Sequence, residues 1–361
     1  MAENLAQPTT SGRIAEVLRT QAAQMDTGSK LPSVRLLMRR FGVSQLTVQR
    51  AISNLETEGL VERQVGRGTF VVGGSGPMAR TITMLRSDYP SRRGDDITRA
   101  LHHVLKGEGH RPIVLTYCDY ERAIEMLRDA PHADAYVLQP MLPQIPLDLL
   151  SFLRKRSQAV VVDGVLDGAN IDALATDARR GLEIALDRLM ELGHRRIGMT
   201  SGEPTIMWDQ LAQHFQSLVH FAKLPDNPDP IVFADTQPNE SSTTGMRDRM
   251  EKLIKEHNGV PFSALLIGSY ASAKGALQAF KAAGIRVPED LSLIVLDNPD
   301  LGTDLSVPLT MVGRTSDQIA QGILKEIERR WEDPDAPHGC VRHVPDIVVR
   351  ESDRAIDTDP G

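Results

Sequence analysis

Between Leu31 and Val72 the apolar positions change period twice. Ser33 to Phe41 and Gln45 to Glu58 carry helical spacing; Gly42 stops the first, Ser44 opens the second and Gly59 stops it. At about 100° per residue, Val48, Ala51, Ile52 and Leu55 fall on one narrow stripe, leaving Leu46, Thr47, Gln49, Arg50 and Ser53 on the outer arc. Leu60 to Gln64 and Thr69 to Val72 then suit two short strands, turned at Gly66-Arg67-Gly68 so that one cation projects from the tip. Two capped helices, a tight turn and a hairpin predict a winged helix-turn-helix. Upstream, Ile14, Val17, Leu18 and Ala22 predict a helix that supports it from behind, and residues 1–10 read as disordered.

Residues 73–80, GGSGPMAR, have no periodic signal and read as a linker. Beyond them, short apolar runs alternate with helical spacing: TITMLR, a helix near Ile97 to Glu108, IVLTY, a helix near Glu121 to Asp129, AYVLQP, a helix near Leu147 to Arg156, and AVVVDG. A second set starts at residue 171, with helices near Arg179 to Leu192, Trp208 to Phe221, Ser242 to His257 and Ala271 to Ala283. Between and after them lie RRIGMTSG, PIVFAD, ALLIGS and LSLIVLDN. Strand-then-helix repetition predicts an α/β body with parallel sheets. Two such units in series predict a cleft, with ligands beyond the carboxyl ends of the strands.

Charge sharpens this division. The 361-residue chain has a net charge of −7, yet residues 1–76 hold nine Lys/Arg against six Asp/Glu, so a +3 end precedes a −10 remainder. The basic end suits phosphates, and the acidic body is expected to be held away from them. Two cysteines, Cys118 and Cys340, make neither a disulfide framework nor a zinc cluster, which fits a reducing cytoplasm. No run approaches the ~18 apolar residues of a membrane span, and MAENLAQPTT lacks the features of an export signal. A soluble cytoplasmic protein without membrane attachment is expected.

LPSVR, FGVSQLTVQRAISNLETEGLVE and GRGTFV, in that order, resemble the DNA-binding domain of the GntR family over about residues 11–72. The body resembles the effector domain of the LacI/GalR family, which has the periplasmic sugar-binding fold. The residues that carry this are Leu192-Gly193-His194-Arg195-Arg196-Ile197-Gly198, Gly284 to Ser292, Leu296-Asp297-Asn298, Pro308 to Val312 and Val348 to Ser352. The match is strong in the second half and weak from 81 to 160. The combination resembles the arabinose-repressor type of regulator. The resemblance implies a DNA-binding domain over 1–72, a linker over 73–80, an effector-binding and dimerisation domain over 81–352 and a tail over 353–361. Lobe 1 is expected at about 81–163 plus 298–325, and lobe 2 at about 164–297 plus 326–352.

A homodimeric transcriptional regulator, expected to be a repressor, follows. It would bind operator DNA and be switched by a small carbohydrate-like effector in the inter-lobe cleft, with no cofactor and no metal. Arg35 and Arg50 would contact phosphate or guanine, Gln45, Thr47 and Gln49 would meet base edges, and Leu46 a thymine methyl. Arg67, between Gly66 and Gly68, would reach the minor groove, and Ser33 and Ser44 stand at the two helix starts. A sugar site needs acceptors for vicinal hydroxyls and an aromatic face for the ring. Asp163, Asp297, Tyr270 and Trp208 could supply both; Asp209 adjoins Trp208, and Ser87-Asp88-Tyr89 could close the cleft from the other lobe.

The chain departs from the LacI pattern at two points: no arginine stands between Arg196 and Arg247, where such proteins usually place a ligand clamp, and Ser269-Tyr270 replaces the frequent Asn-Asp pair. A ligand-independent DNA-bound dimer with a degenerate cleft is therefore an alternative. Trp208 and Tyr270 could instead be core or rim aromatics, and Asp163 and Asp297 could instead cap helices or satisfy loop amides. Tyr270 and Lys274 have the Tyr-x-x-x-Lys spacing of short-chain dehydrogenases, but no three-glycine nucleotide turn follows an N-terminal strand of the body. His102-His103, His338 and His343 form no metal-binding spacing and read as surface or helix-rim residues, and no G-x-S-x-G elbow or P-loop occurs.

Overall fold

The computed structural model describes residues 10–23, 25, 28–64, 67–72, 79–140, 145–201, 206–225, 231–234 and 241–356. The expected disorder at 1–9, Gly66, linker residues 73–78 and tail residues 357–361 lie outside the described residues. The chain forms two compact units, residues 1–80 with 106–111, and residues 81–105 with 112–361.

In the first unit, α1 (Thr10–Ala23), α2 (Val34–Phe41) and α3 (Gln45–Thr57) precede a hairpin of β1 (Val61–Gln64) and β2 (Gly68–Val71). Ser33 caps α2 by accepting the Leu36 amide, and Gly42 ends it in the left-handed region at φ 64°, which a side chain would strain. Ser44 caps α3 through the Thr47 amide. The stripe Val48, Ala51, Ile52 and Leu55 is wholly buried, with Leu18, Leu37 and Val71 around it. Each buried Leu or Ile there contributes about 1.5–3 kcal/mol. Val17 differs from expectation: it is 43% exposed, because Ile14, Ala15, Leu18 and Ala22 face the core and Val17 sits on the flank of their stripe. Arg19 forks onto Glu58 at 2.7 and 2.9 Å, tying α1 to the end of α3.

The second unit contains two sheets. In the first lobe β3 (Thr81–Ser87), β4 (Arg111–Tyr117), β5 (Ala135–Leu138), β6 (Ala159–Asp163), β7 (Asp172–Thr176) and β13 (Cys340–His343) lie in the order β13-β7-β6-β5-β3-β4. They are covered by α4 (Arg92–Gly107), α5 (Tyr120–Asp129), α6 (Leu147–Arg156) and α11 (Ser316–Glu332). In the second lobe β8 (Ile197–Ser201), β9 (Ile231–Phe233), β10 (Ala264–Ile267), β11 (Ser292–Val295), β12 (Thr310–Gly313) and β14 (Asp346–Val348) lie in the order β14-β12-β11-β10-β8-β9. Their cover is α7 (Ala178–Glu191), α8 (Ile206–Phe221), α9 (Ser242–His257) and α10 (Tyr270–Ala282). β5, β10 and β11 are buried along their whole length, as parallel strands with helices on both faces must be. In the second lobe β14 runs antiparallel to β12.

The lobe limits differ from those expected. The chain passes from the first sheet to the second after β7, returns between β12 and α11, and crosses again between β13 and β14. Residues 172–176 thus belong to the first lobe, Thr310–Gly313 to the second, and the whole of α11 with β13 to the first. Asp172, at the head of β7, is fully buried and accepts two hydrogen bonds from Arg330 and one from Arg329, both on α11. That pair fastens β7 to the first lobe; five residues headed by an aspartate gave no strand signal in the sequence.

Candidate functional site

On the reader, α3 presents the arc that the spacing assigned to it. Gln45, Gln49 and Arg50 are exposed, Leu46 is 58% exposed, and Thr47 is half-buried with its hydroxyl 2.9 Å from Ser44 Oγ. Arg35 is exposed at the start of α2. Ser33 and Ser44 hold helix amides, so their first role is to fix the two helix starts. At the hairpin, the Arg67 guanidinium and the Lys30 ammonium each lie 5.8 Å from the centroid of the Phe70 ring, two cations drawn to one aromatic ring. Gly68 has φ 123° and the Lys30 side chain where a Cβ would stand, so glycine is required there.

The sequence reading missed Arg63. Its guanidinium donates to Gln49 O at 3.0 Å and Ser53 Oγ at 2.6 Å, and lies 3.4 Å from Glu56. The hairpin is thereby bolted to the outer arc of α3. An exposed cation on β1, two residues past a buried valine, was the only signal.

In the body, the carboxyl ends of both sheets are brought together by Arg93, on α4 of the first lobe. Its guanidinium lies 4.0 Å from Asp163 at the end of β6 and 3.7 Å from Asp297 beyond β11. Beside it, Arg92 is ion-paired with Asp304 and lies 6.0 Å from the Tyr270 ring. The predicted Asp163 and Asp297 therefore meet between the carboxyl ends of the two sheets, beside cations that carry no signal in the sequence.

Asp297 is doubly committed: Oδ2 accepts the Tyr270 amide at 2.9 Å and Oδ1 the Asn298 amide at 2.7 Å. A Cβ on Gly313 would stand 2.0 Å from Asp297 O, so the close chain approach there requires glycine. Asp163 has its side chain 7% exposed and accepts no hydrogen bond among the described residues. Trp208 lies with its ring on Gly268 at the end of β10 and is half-buried, while Asp209 is exposed. Ser269 caps α10 through the Ser272 amide and donates to Ser272 Oγ, so its hydroxyl is turned into the helix. Ser87 Oγ accepts the Tyr89 amide, the Asp88 amide donates to Tyr117 O, and Tyr89 is 39% exposed. Lys274 is exposed, and the cation over the Tyr270 ring is Arg92.

Two further groups escaped the sequence. Gln139, just past β5, accepts from Thr98 Oγ1 at 2.9 Å, while its buried Nε2 has no acceptor among the described residues. Arg314, at the second crossing, is 7% exposed and donates to Gln318 O; burial lowers its pKa, against the field of Asp163. His338 Nδ1 lies 2.9 Å from Arg330 beside Asp172, and burial pushes its pKa down. Among the described residues there is no group of three metal-ligating side chains, and no helix long and apolar enough to cross a membrane.

Two α/β lobes, cross-connected three times with their strand carboxyl ends facing, define a periplasmic-binding-protein-like body; a winged helix-turn-helix precedes it in the chain. Residues 10–71 match the family of bacterial regulatory proteins, gntR family, and residues 186–352 match the periplasmic binding protein-like domain. The chain thus joins a segment that matches the gntR family to a segment that matches the periplasmic binding protein-like domain.

Among its relatives, the arabinose metabolism transcriptional repressor of Halalkalibacterium halodurans is 23% identical over 348 residues, 90% of each chain. The HTH-type transcriptional regulator MalR of Streptomyces coelicolor is 22% identical, covering 86% of this chain and 93% of MalR. The match to the HTH-type transcriptional repressor PurR of Aliivibrio salmonicida, 26% identical, spans 56% of this chain and 60% of PurR. Similar solved structures include a LacI family regulator from Enterococcus faecium with bound ribose, with TM-score 0.64, 20% identity, and 77% of this chain and 100% of that one covered. The lac repressor dimer bound to operator and the anti-inducer ONPF gives TM-score 0.63 at 16% identity, with 78% and 96% covered. These likenesses concern the fold.

Proposed function

We propose that the protein is a transcriptional repressor rather than an enzyme, acting in the cytoplasm as a homodimer that binds operator DNA and is released by a carbohydrate-like effector. The observation that carries the reading is the pairing of a capped recognition helix, with an exposed polar arc, to a cleft that has uncommitted donors and acceptors. Asp163 can accept from sugar hydroxyls, Arg93 and Gln139 Nε2 can donate to them, and Trp208 offers a ring face. Two readers would engage half-sites about one helical turn apart. Coupling between cleft and operator of about 1–3 kcal/mol is enough for a switch.

The Arg93 bridge supports a second reading, in which the chain's own charges hold the cleft shut and no effector is needed. Selection of bound duplexes from a randomised library, with and without a panel of sugars, separates the two. A two-half-site motif whose recovery falls with one sugar supports the switched repressor; a motif indifferent to every sugar supports the constitutive dimer. Sequence-blind binding would reject both.

A further inference from the structure

The outer arc of α3 divides into groups that serve the reader's own frame and groups that serve nothing within it. Thr47 has its hydroxyl 2.9 Å from Ser44 Oγ, and Ser53 Oγ accepts from Arg63, which also holds Gln49 O. Arg40, on α2, reaches Gln21 Oε1 at 3.4 Å and lies 5.6 Å from the Phe41 ring. What is left on the first two turns of α3 is Gln45, Leu46, Gln49 and Arg50, all exposed. Among the described residues neither the Gln45 nor the Gln49 carboxamide has a hydrogen-bond partner. The start of the helix therefore offers two carboxamides and one apolar tip, with a cation behind them.

Resting on the operator-binding reading above, we infer that each half-site presents A·T pairs to the start of α3, where Gln45 and Gln49 each take an adenine and Leu46 a thymine methyl. A carboxamide carries an acceptor and a donor side by side. On the major-groove edge adenine alone answers both, with N6 and N7. Guanine offers two acceptors there, cytosine one donor and thymine one acceptor. Phosphate offers acceptors only, and it has cations at hand in exposed Arg35 and Arg39 of α2. Gln45 and Gln49 stand at i and i+4, on one side of the helix and about 6 Å apart along it. That is close to two base-pair steps of about 3.4 Å, so the two adenines fall within three consecutive pairs. Leu46, 58% exposed on the adjoining side of the arc, matches the methyl of a thymine in the same pairs.

The test runs duplex selection side by side on the full-length protein and on its Gln45→Arg and Gln49→Arg variants, since arginine pairs with guanine through N7 and O6. Both substitutions fall at exposed positions and keep a good helix former. The expected wild-type half-site holds two adenines within three pairs. Each variant should turn a different one of them to guanine and leave the rest of the motif alone. In competition binding, the wild type should lose about tenfold in affinity for each adenine replaced by guanine. A wild-type motif with G·C at the positions that respond to the variants, or a motif unchanged in either variant, overturns the inference and leaves the operator-binding reading intact. Sequence-blind binding by the wild type overturns both.

Discussion

The Asp297 carboxylate accepts the backbone amide of Tyr270 at 2.9 Å, so a side chain that lines the cleft also fixes the first turn of α10. Its other oxygen takes the Asn298 amide and faces Arg93. One residue thus sets the positions of an aromatic ring, a helix start and an inter-lobe cation.

Replacing Asp297 with Ala should therefore abolish the effector response, and cost the body about 1–3 kcal/mol because two amides lose their acceptor. Operator affinity without effector should stay within about twofold, since the reader is a separate unit. Denaturant melts and fluorescence anisotropy on labelled duplex would check the two parts; a variant that still responds at the wild-type sugar concentration removes Asp297 from the site.

Arg50 is exposed on the outer arc of α3. If it reads a base, Arg50→Ala weakens specific binding by about 1–3 kcal/mol and relaxes one operator position; if it meets phosphate, all sequences lose affinity alike and the salt dependence flattens. Binding isotherms at two salt concentrations on operator and scrambled duplex distinguish the two. Normal binding to both duplexes would take Arg50 out of the interface.

Arg63 should behave differently, because its bonds run to α3 itself. Arg63→Ala is expected to change reader stability by no more than about 1 kcal/mol, as for exposed pairs. It should nonetheless loosen the hairpin from the recognition helix and lower operator affinity several-fold. Unchanged affinity would show that the hairpin keeps its place without the arginine.

The Asp172–Arg330 pair carries a pH dependence. Burial acts to raise the Asp172 carboxyl, but the hydrogen bonds and charge of Arg330, with the charge of Arg329, outweigh it and hold the group below its ordinary 3.8. A depressed carboxylate contributes stability that is fully present above the ordinary value and is lost as pH falls below it. Urea midpoints between pH 6 and pH 3 should drop. Arg330→Met should cost about 3 kcal/mol at pH 7 by leaving the buried Asp172 carboxylate with the hydrogen bond of Arg329 in place of three, and Asp172→Leu with Arg330→Met together less. Equal losses in the single and double variants would refute this account.

The reader was legible nearly residue by residue, because caps, turn and stripe are local signals: Ser33, Gly42, Ser44 and the Val48–Leu55 stripe all do what the spacing says. The α/β alternation was equally plain, with Leu147–Arg156 and Ser242–His257 found at the expected limits. What the sequence hid depends on contacts between distant residues. Arg93 looked like one charge in a polar run before the α4 stripe, and only folding brings it to Asp297. β7 carries its identity in a partner more than 150 positions away. Ser269 stands at a strand end, where the sequence suggests a cleft residue; its capping bond shows how such a loop serine can serve the helix that follows it.

The three crossings make each lobe a composite of separated stretches. The edge strands of both sheets, β13 and β14, come from the same short stretch near residue 345. During synthesis, neither lobe can finish its sheet until that stretch has left the ribosome, so the two lobes are completed together rather than in turn. A truncation before Cys340 would strip one edge from each sheet at once, and the body should lose its fold as one piece instead of shedding a lobe.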